Sequence, residues 1–141
     1  MFQIIIVSHG LLAKEIFSSA QMIAGQQTGV QAIGLIEGQS PEDFARNVDA
    51  AVAKCGDDGA LILADLYGGT PCNTVAMKVL PKYANTEMIT GMNLSMVIES
   101  FSMRGEKLKD AVNELIGIGK GDVVDMRMEL SETSSCSDDD E

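Results

Sequence analysis

The sequence predicts an α/β fold: an open parallel β-sheet with helices on both faces. Short aliphatic runs alternate along the chain with stretches of helical periodicity, the pattern of parallel strands joined by crossover helices. Two of those runs, Ile4-Ile5-Ile6-Val7 and Ala60-Leu61-Ile62-Leu63-Ala64, are apolar throughout rather than alternating, as expected of strands covered on both faces. Ser40-Pro41-Glu42-Asp43 and Thr70-Pro71 each set a capping side chain before a proline, which suits the first turn of a helix.

Taken in order, Phe2–Ser8 is the first strand, with no polar alternation after Gln3. Leu12, Ile16, Ala20 and Ile23 recur at helical spacing, and Gly25 suits the end of that helix. Gln31–Ile36 is the second strand. In the next helix Ser40 caps free amides, and Glu42 and Asp43 favour the positive end of the helix dipole. Phe44, Val48, Ala51 or Val52, and Cys55 then carry an apolar stripe to Gly56. Ala60–Ala64 is the third strand and ends at Asp65. A helix capped by Thr70 runs with Val75 and Val79 inside until Pro81. Glu87–Thr90 is a short fourth strand, followed by the turn Gly91-Met92-Asn93 and by helices over Leu94–Met103 and Glu106–Ile118. Val123–Leu130 alternates, which predicts a last strand, antiparallel at the edge of the sheet.

The 141 residues suit one domain, and 45% hydrophobic against 22% charged residues is a globular balance. With no Trp and few other aromatics, the core must come from aliphatics and nine Met. The net charge of −11 is uneven: residues 131–141 hold five acids and no base, leaving ten bases against sixteen acids in 1–130. The division expected is therefore a folded domain over 1–130 and a disordered acidic tail over 131–141. An acidic body excludes nucleic acid as a partner, because phosphate contacts need clustered Lys and Arg. Cys55, Cys72 and Cys136 form no Cys-x-x-Cys pair, and one histidine is too few for the usual zinc ligand sets. Met1–Val7 lacks the basic start of a signal peptide. No run approaches the roughly 18 apolar residues that span a bilayer. The expectation is a cytoplasmic protein with reduced thiols and no membrane insertion.

Ligands of open α/β sheets bind beyond the carboxyl ends of the strands. His9, Asp65 and the Gly91–Asn93 turn end strands one, three and four, so they share that rim. A lone histidine at a strand end is by default a packing residue, and only the company it keeps gives it chemistry. A nucleophilic histidine needs one ring nitrogen bare and the other donating its proton to a fixed acceptor. Asp65 is placed to be that acceptor, although it equally suits capping the turn before Gly68-Gly69. Amides of Gly10, Gly68 and Gly69 near two helix starts, with the Thr70 hydroxyl, would form an anion site.

Rival chemistries lack their residues. No Gly-x-x-x-x-Gly-Lys-Ser/Thr string occurs, and Ser8–Ala13 holds only one glycine, too few for a dinucleotide fingerprint. A cysteine phosphatase built on Cys72 would want arginine six residues later, where Lys78 stands. A receiver domain would want paired acids where Ser8-His9 stand.

Val7-Ser8-His9-Gly10, Asp65-Leu66-Tyr67-Gly68-Gly69-Thr70-Pro71 with Asn73, and Thr90-Gly91-Met92-Asn93-Leu94 together resemble the IIA component of the mannose family of the bacterial phosphoenolpyruvate-dependent sugar phosphotransferase system. The resemblance runs over residues 2 to about 125. It implies that His9 accepts a phosphoryl group from the histidine-containing phosphocarrier protein HPr and passes it to a IIB protein (EIIB). On that resemblance Asp65 orients the ring and Thr70 offers a hydroxyl near the phosphate. It also implies a homodimer in which the last strand, Val123–Leu130, is exchanged, and membrane components IIC and IID that act indirectly and choose the sugar. No nucleotide, metal or other cofactor is implied. Ser95 stands where members often carry proline, which makes that turn less rigid. Because the chain stops soon after the last expected strand, IIB is expected on a separate polypeptide. With one histidine in the chain, phosphate must arrive from one protein and leave to another. Two alternatives stay open: a regulatory module of the same build that controls a transcription factor or dihydroxyacetone kinase, and a binding domain in which His9 does no chemistry.

Overall fold

A computed structural model describes residues 1–139, with side chains as far as residue 133. Four strands, β1 (Gln3–His9), β2 (Val30–Leu35), β3 (Ala60–Ala64) and β4 (Thr86–Ile89), form one sheet in the order β2-β1-β3-β4. Every neighbouring pair is parallel, with His9 opposite Leu35 and Val7 opposite Ala64. The helices are α1 (Leu12–Ala24), α2 (Pro41–Ala53), α3 (Thr70–Lys78), α4 (Leu94–Ser102), α5 (Leu108–Gly121) and α6 (Met126–Asp139). Single 3₁₀ turns cover Gly56–Asp58 and Leu80–Lys82.

The continuous apolar strands are explained by what lies on each side. Successive strand residues point to opposite faces. Ile4, Ile6, Leu61 and Leu63 pack with Ala13, Ala20, Val97, Ala111 and Leu115 of α1, α4 and α5. Ile5, Val7, Ile62 and Ala64 pack with Phe44, Val48, Val52, Cys72 and Val75 of α2 and α3. Both layers are fully apolar here, so no position from Ile4 to Val7 in β1 or in β3 is left for a polar side chain.

The strand order also locates a crevice. The chain leaves β1 through α1 on one face of the sheet and leaves β3 through α3 on the other. Neighbouring connections that part in this way open a cleft at the carboxyl end of the sheet. β1 and β3 end there with His9 and Asp65.

The structure corrects four sequence expectations. Val123–Leu130 is not a strand: its second half begins α6. Side-chain capping explains the change, because the Asp125 carboxylate accepts from the backbone N–H of Arg127 (3.1 Å) and Met128 (3.2 Å), starting a helix. Met, Arg, Glu and Leu are all good helix formers, so the alternation of Met126, Met128 and Leu130 does not dictate β structure. Among the described residues no fifth strand follows α5. Helix α6 also runs into the segment expected to be disordered, to Asp139, while residues 140 and 141 lie outside the described residues. The third correction is at α3, whose cap is Gly69 rather than Thr70: Thr70 is already helical and its side chain caps nothing. By contrast Ser40 caps α2 as expected, accepting from the Asp43 N–H at 3.1 Å. The fourth concerns Gly10 and belongs with the site.

Candidate active site

Asp65 and His9 form the centre. The His9 Nδ1 lies 2.8 Å from Asp65 Oδ2, and the His9 backbone N–H donates to the same oxygen at 2.9 Å. The Asp65 side chain is only 8% exposed, whereas that of His9 is 48% exposed. Asp65 thus serves the histidine twice instead of capping its own turn. Its position is fixed by the sheet, since the Asp65 N–H donates to Val7 O at 3.2 Å across β1 and β3. Asp65 Oδ1 is buried and has no hydrogen-bond partner.

With Nδ1 committed to a carboxylate, the stable neutral tautomer carries its proton on Nδ1 and leaves the Nε2 lone pair free. That nitrogen is turned toward the start of α3. A Cβ built on Gly69 would lie 3.4 Å from Nε2 and 2.7 Å from Cε1, so the ring rests against the Gly69 backbone. Gly68 takes a positive φ of 81°, which glycine accepts at no steric cost. The loop is braced from within, as Asn73 Nδ2 donates to Gly68 O at 3.0 Å and Asn73 N–H to Gly69 O at 2.9 Å. The Thr70 side chain is exposed beside this loop. The first amides of a helix have no partner within it, and the dipole adds partial positive charge there. The loop against which the ring rests thus carries only neutral groups, and no lysine or arginine is paired with His9 or Asp65 among the described residues.

Gly10 does not join this arrangement as expected. Its N–H donates to Leu35 O at 2.8 Å, so it is spent on holding β1 against β2. Gly10 instead contributes its left-handed φ of 55°, which turns the chain from β1 toward α1. The Gly69 N–H reaches Leu66 O at 3.3 Å and is only weakly engaged. Two residues that stand in the sequence motifs without a role of their own support the site. Ser8, fully buried, accepts from Ala13 N–H at 2.7 Å and donates to His9 O at 3.0 Å. The signal was a polar residue closing an apolar strand just ahead of a helix. Asn93 caps α4 through Met96 N–H (3.0 Å) and donates to Gly119 O (2.8 Å). The adjoining Met92 N–H donates to Ala64 O at 3.0 Å, which fastens the β4 turn beside Asp65. Met96 is buried and packs in the core beneath this turn. Among the described residues no group of three or more His, Cys, Asp or Glu is placed to hold a metal ion.

The same chain matches a family of known proteins over residues 3–116, described as the fructose IIA component of the phosphotransferase system (PTS), EIIA-man. The chain belongs to the EIIA-man family. Solved members share its architecture: a PTS component EIIA from Streptococcus agalactiae is 33% identical, with a TM-score of 0.84 over 91% of this chain and 99% of that one. A mannose/sorbose-specific IIA subunit from Enterococcus faecalis is 30% identical, with a TM-score of 0.82 over 88% of this chain and 93% of that one. In sequence, the chain is 32% identical over 104 residues to the mannose-specific EIIAB component of Escherichia coli, covering 73% of this chain. It spans about a third of the length of that relative, 32%. It is also 28% identical to the fructose-specific EIIA component of Bacillus subtilis, over 82% of this chain and 80% of that protein. The matched span of this EIIA-man chain holds β1 through most of α5, and so contains His9, Asp65 and the Gly68–Thr70 loop. No helix among the described residues is long and apolar enough to cross a membrane.

Proposed function

We propose that this EIIA-man protein is a cytoplasmic phosphocarrier of sugar uptake, with His9 Nε2 as the atom that carries the phosphoryl group. The observation behind this is the 2.8 Å pairing of Nδ1 with a nearly buried carboxylate, which leaves a half-exposed Nε2 bare at a helix start. HPr is the donor and a IIB component the acceptor, with IIC and IID served indirectly.

The step is an in-line exchange. The Nε2 lone pair forms the new N–P bond while the N–P bond to the donor's histidine breaks and its electron pair returns to that ring. The His9 ring gains positive charge, and Asp65, holding the Nδ1 proton, stabilises it as the aspartate of a hydrolytic triad does. The Gly68–Thr70 loop and the first turn of α3 hold the phosphoryl oxygens through neutral donors. Positioning and charge stabilisation supply most of the acceleration in such transfers. Neutral donors bind the group without retaining it, which suits a carrier.

The surroundings favour a protein partner. Leu11, Ile36, Leu66 and Tyr67 in the connections at the carboxyl ends of β1, β2 and β3, with Leu12 at the start of α1, are exposed apolar residues. Exposed Val123, Met126, Met128 and Leu130 offer a separate apolar surface that supports a homodimer. Incubation with phosphoenolpyruvate, enzyme I and HPr, followed by intact mass measurement, tests the assignment. One added phosphate, stable at neutral pH and lost in acid, is expected, and it should leave on addition of a IIB protein. Stable phosphate that resists acid, or none at all, would refute the proposal.

A further inference from the structure

From the contact between His9 and the loop before α3 we infer that Gly69 is a positioning residue: its missing side chain makes the space in which the His9 ring is held against Asp65. Its backbone does not require glycine. At φ −76° and ψ 168° it is extended, a conformation open to any residue. It is also the cap of α3, where Ser, Asp or Asn would serve the helix slightly better than glycine. Gly68 next to it shows the opposite case, with φ 81° and open space where a Cβ would go. The two glycines of one turn thus answer to different demands, Gly68 to the chain and Gly69 to the ring.

The size of the conflict follows from the distances. A Cβ on Gly69 would lie 2.7 Å from His9 Cε1, closer than non-bonded carbons tolerate, and 3.4 Å from both His9 Nε2 and Leu66 Cδ2. The ring is anchored on its other side by Asp65 through Nδ1, and its backbone by a second bond to the same oxygen. Its remaining way out is toward solvent, and that movement lengthens the Nδ1 contact. The carboxylate then no longer selects the tautomer with Nε2 bare. This role deepens the phosphocarrier reading and rests on it for its catalytic meaning, but the steric claim stands on its own.

The test combines a double-mutant cycle with a spectroscopic readout. Gly69→Ala should lower the urea midpoint of the otherwise unchanged protein and have little further effect in a His9→Ala background, where the ring is gone. Long-range 1H–15N spectra of the His9 ring should show a single Nδ1–H form in the unsubstituted protein and a mixture in Gly69→Ala. Phosphorylation by phospho-HPr should slow about 10- to 100-fold, the cost of a displacement near 1 Å. Gly56→Ala, which strains a positive φ of 66° in the turn before β3 and meets nothing within 4 Å, should lose stability and keep both the ring spectrum and the rate. Equal destabilisation by Gly69→Ala with and without the His9 ring would overturn the inference, as would an unchanged ring spectrum. If Gly69→Ala is unfolded, the His9→Ala, Gly69→Ala double variant decides: it folds like His9→Ala alone, or the inference is wrong. Should the unsubstituted protein take no phosphate while the cycle and spectra behave as expected, the phosphocarrier reading fails and the steric role of Gly69 remains.

Discussion

Replacing Asp65 by asparagine isolates charge from shape at the centre of the site. The side chain keeps its size, but the orientation of the new amide is constrained. Two donors, the His9 backbone N–H at 2.9 Å and Nδ1–H at 2.8 Å, meet the Oδ2 position. An NH2 group there would face a backbone donor that cannot change, so the amide oxygen must take that place. The NH2 then occupies the Oδ1 position, which is buried and has no acceptor. Both hydrogen bonds survive as neutral ones, and what is lost is the negative charge beside a ring that becomes positive. A hydrogen bond to a charged group contributes about 1.5–3 kcal/mol against about 1 for a neutral one, so the loss is about 0.5–2 kcal/mol, while the unpaired NH2 costs folding stability and not rate. At 1.36 kcal/mol per factor of ten, phosphorylation of Asp65→Asn by phospho-HPr should be slower by more than twofold and up to about 30-fold. Rapid-quench measurement at saturating donor reads this rate directly, with thermal unfolding run beside it to confirm that the variant is folded. A folded Asp65→Asn protein that reacts within about twofold of the unsubstituted rate, a difference under 0.5 kcal/mol, would refute the claim that the Asp65 charge supports the reacting ring.

Three further outcomes follow from the same structure. Ser40→Ala removes the cap that accepts Asp43 N–H and should cost about 1 kcal/mol of stability, measured by urea denaturation, with phosphorylation unaffected. Burial pushes the Cys55 thiol above its ordinary pKa, outweighing the nearby Arg104 charge; its contribution to stability is therefore complete below the unfolded thiol value and is lost as pH rises through the folded one. Alkylation of native Cys55 by iodoacetamide at pH 8–9 should accordingly be slow and become fast on unfolding, as peptide mass mapping will report. Thr70→Lys places a fixed positive charge beside a site of neutral donors and should slow release of phosphate to a IIB protein; faster transfer would contradict the idea that weak holding suits the carrier.

Much of this was legible because the strongest physical constraints act locally. A strand buried on both faces has no room for alternation, so β1 and β3 announced themselves by unbroken aliphatic runs. Ser40-Pro41 reads as a helix start because capping and the fixed proline φ are properties of adjacent residues. His9 and Asp65 fall at strand ends, and parallel order alone brings such ends to one rim. The misses arise where several local solutions compete. Thr70-Pro71 looks like Ser40-Pro41, yet the helix begins one residue earlier, with Gly69 as the cap and Thr70 already helical. The Gly10 amide was expected to be free, but the neighbouring strand end claims it through Leu35 O, a partner 25 positions away. Alternation over Met126–Leu130 is compatible with either periodicity, and the Asp125 cap decides for helix.

The claim that His9 Nε2 carries phosphate meets its most direct test in NMR of the protein phosphorylated by enzyme I and HPr, with 15N-labelled histidine. Coupling of phosphorus to Nε2, with Nδ1 still protonated, is the predicted result. Phosphorus bound to Nδ1, or phosphate retained by His9→Ala, would contradict the account.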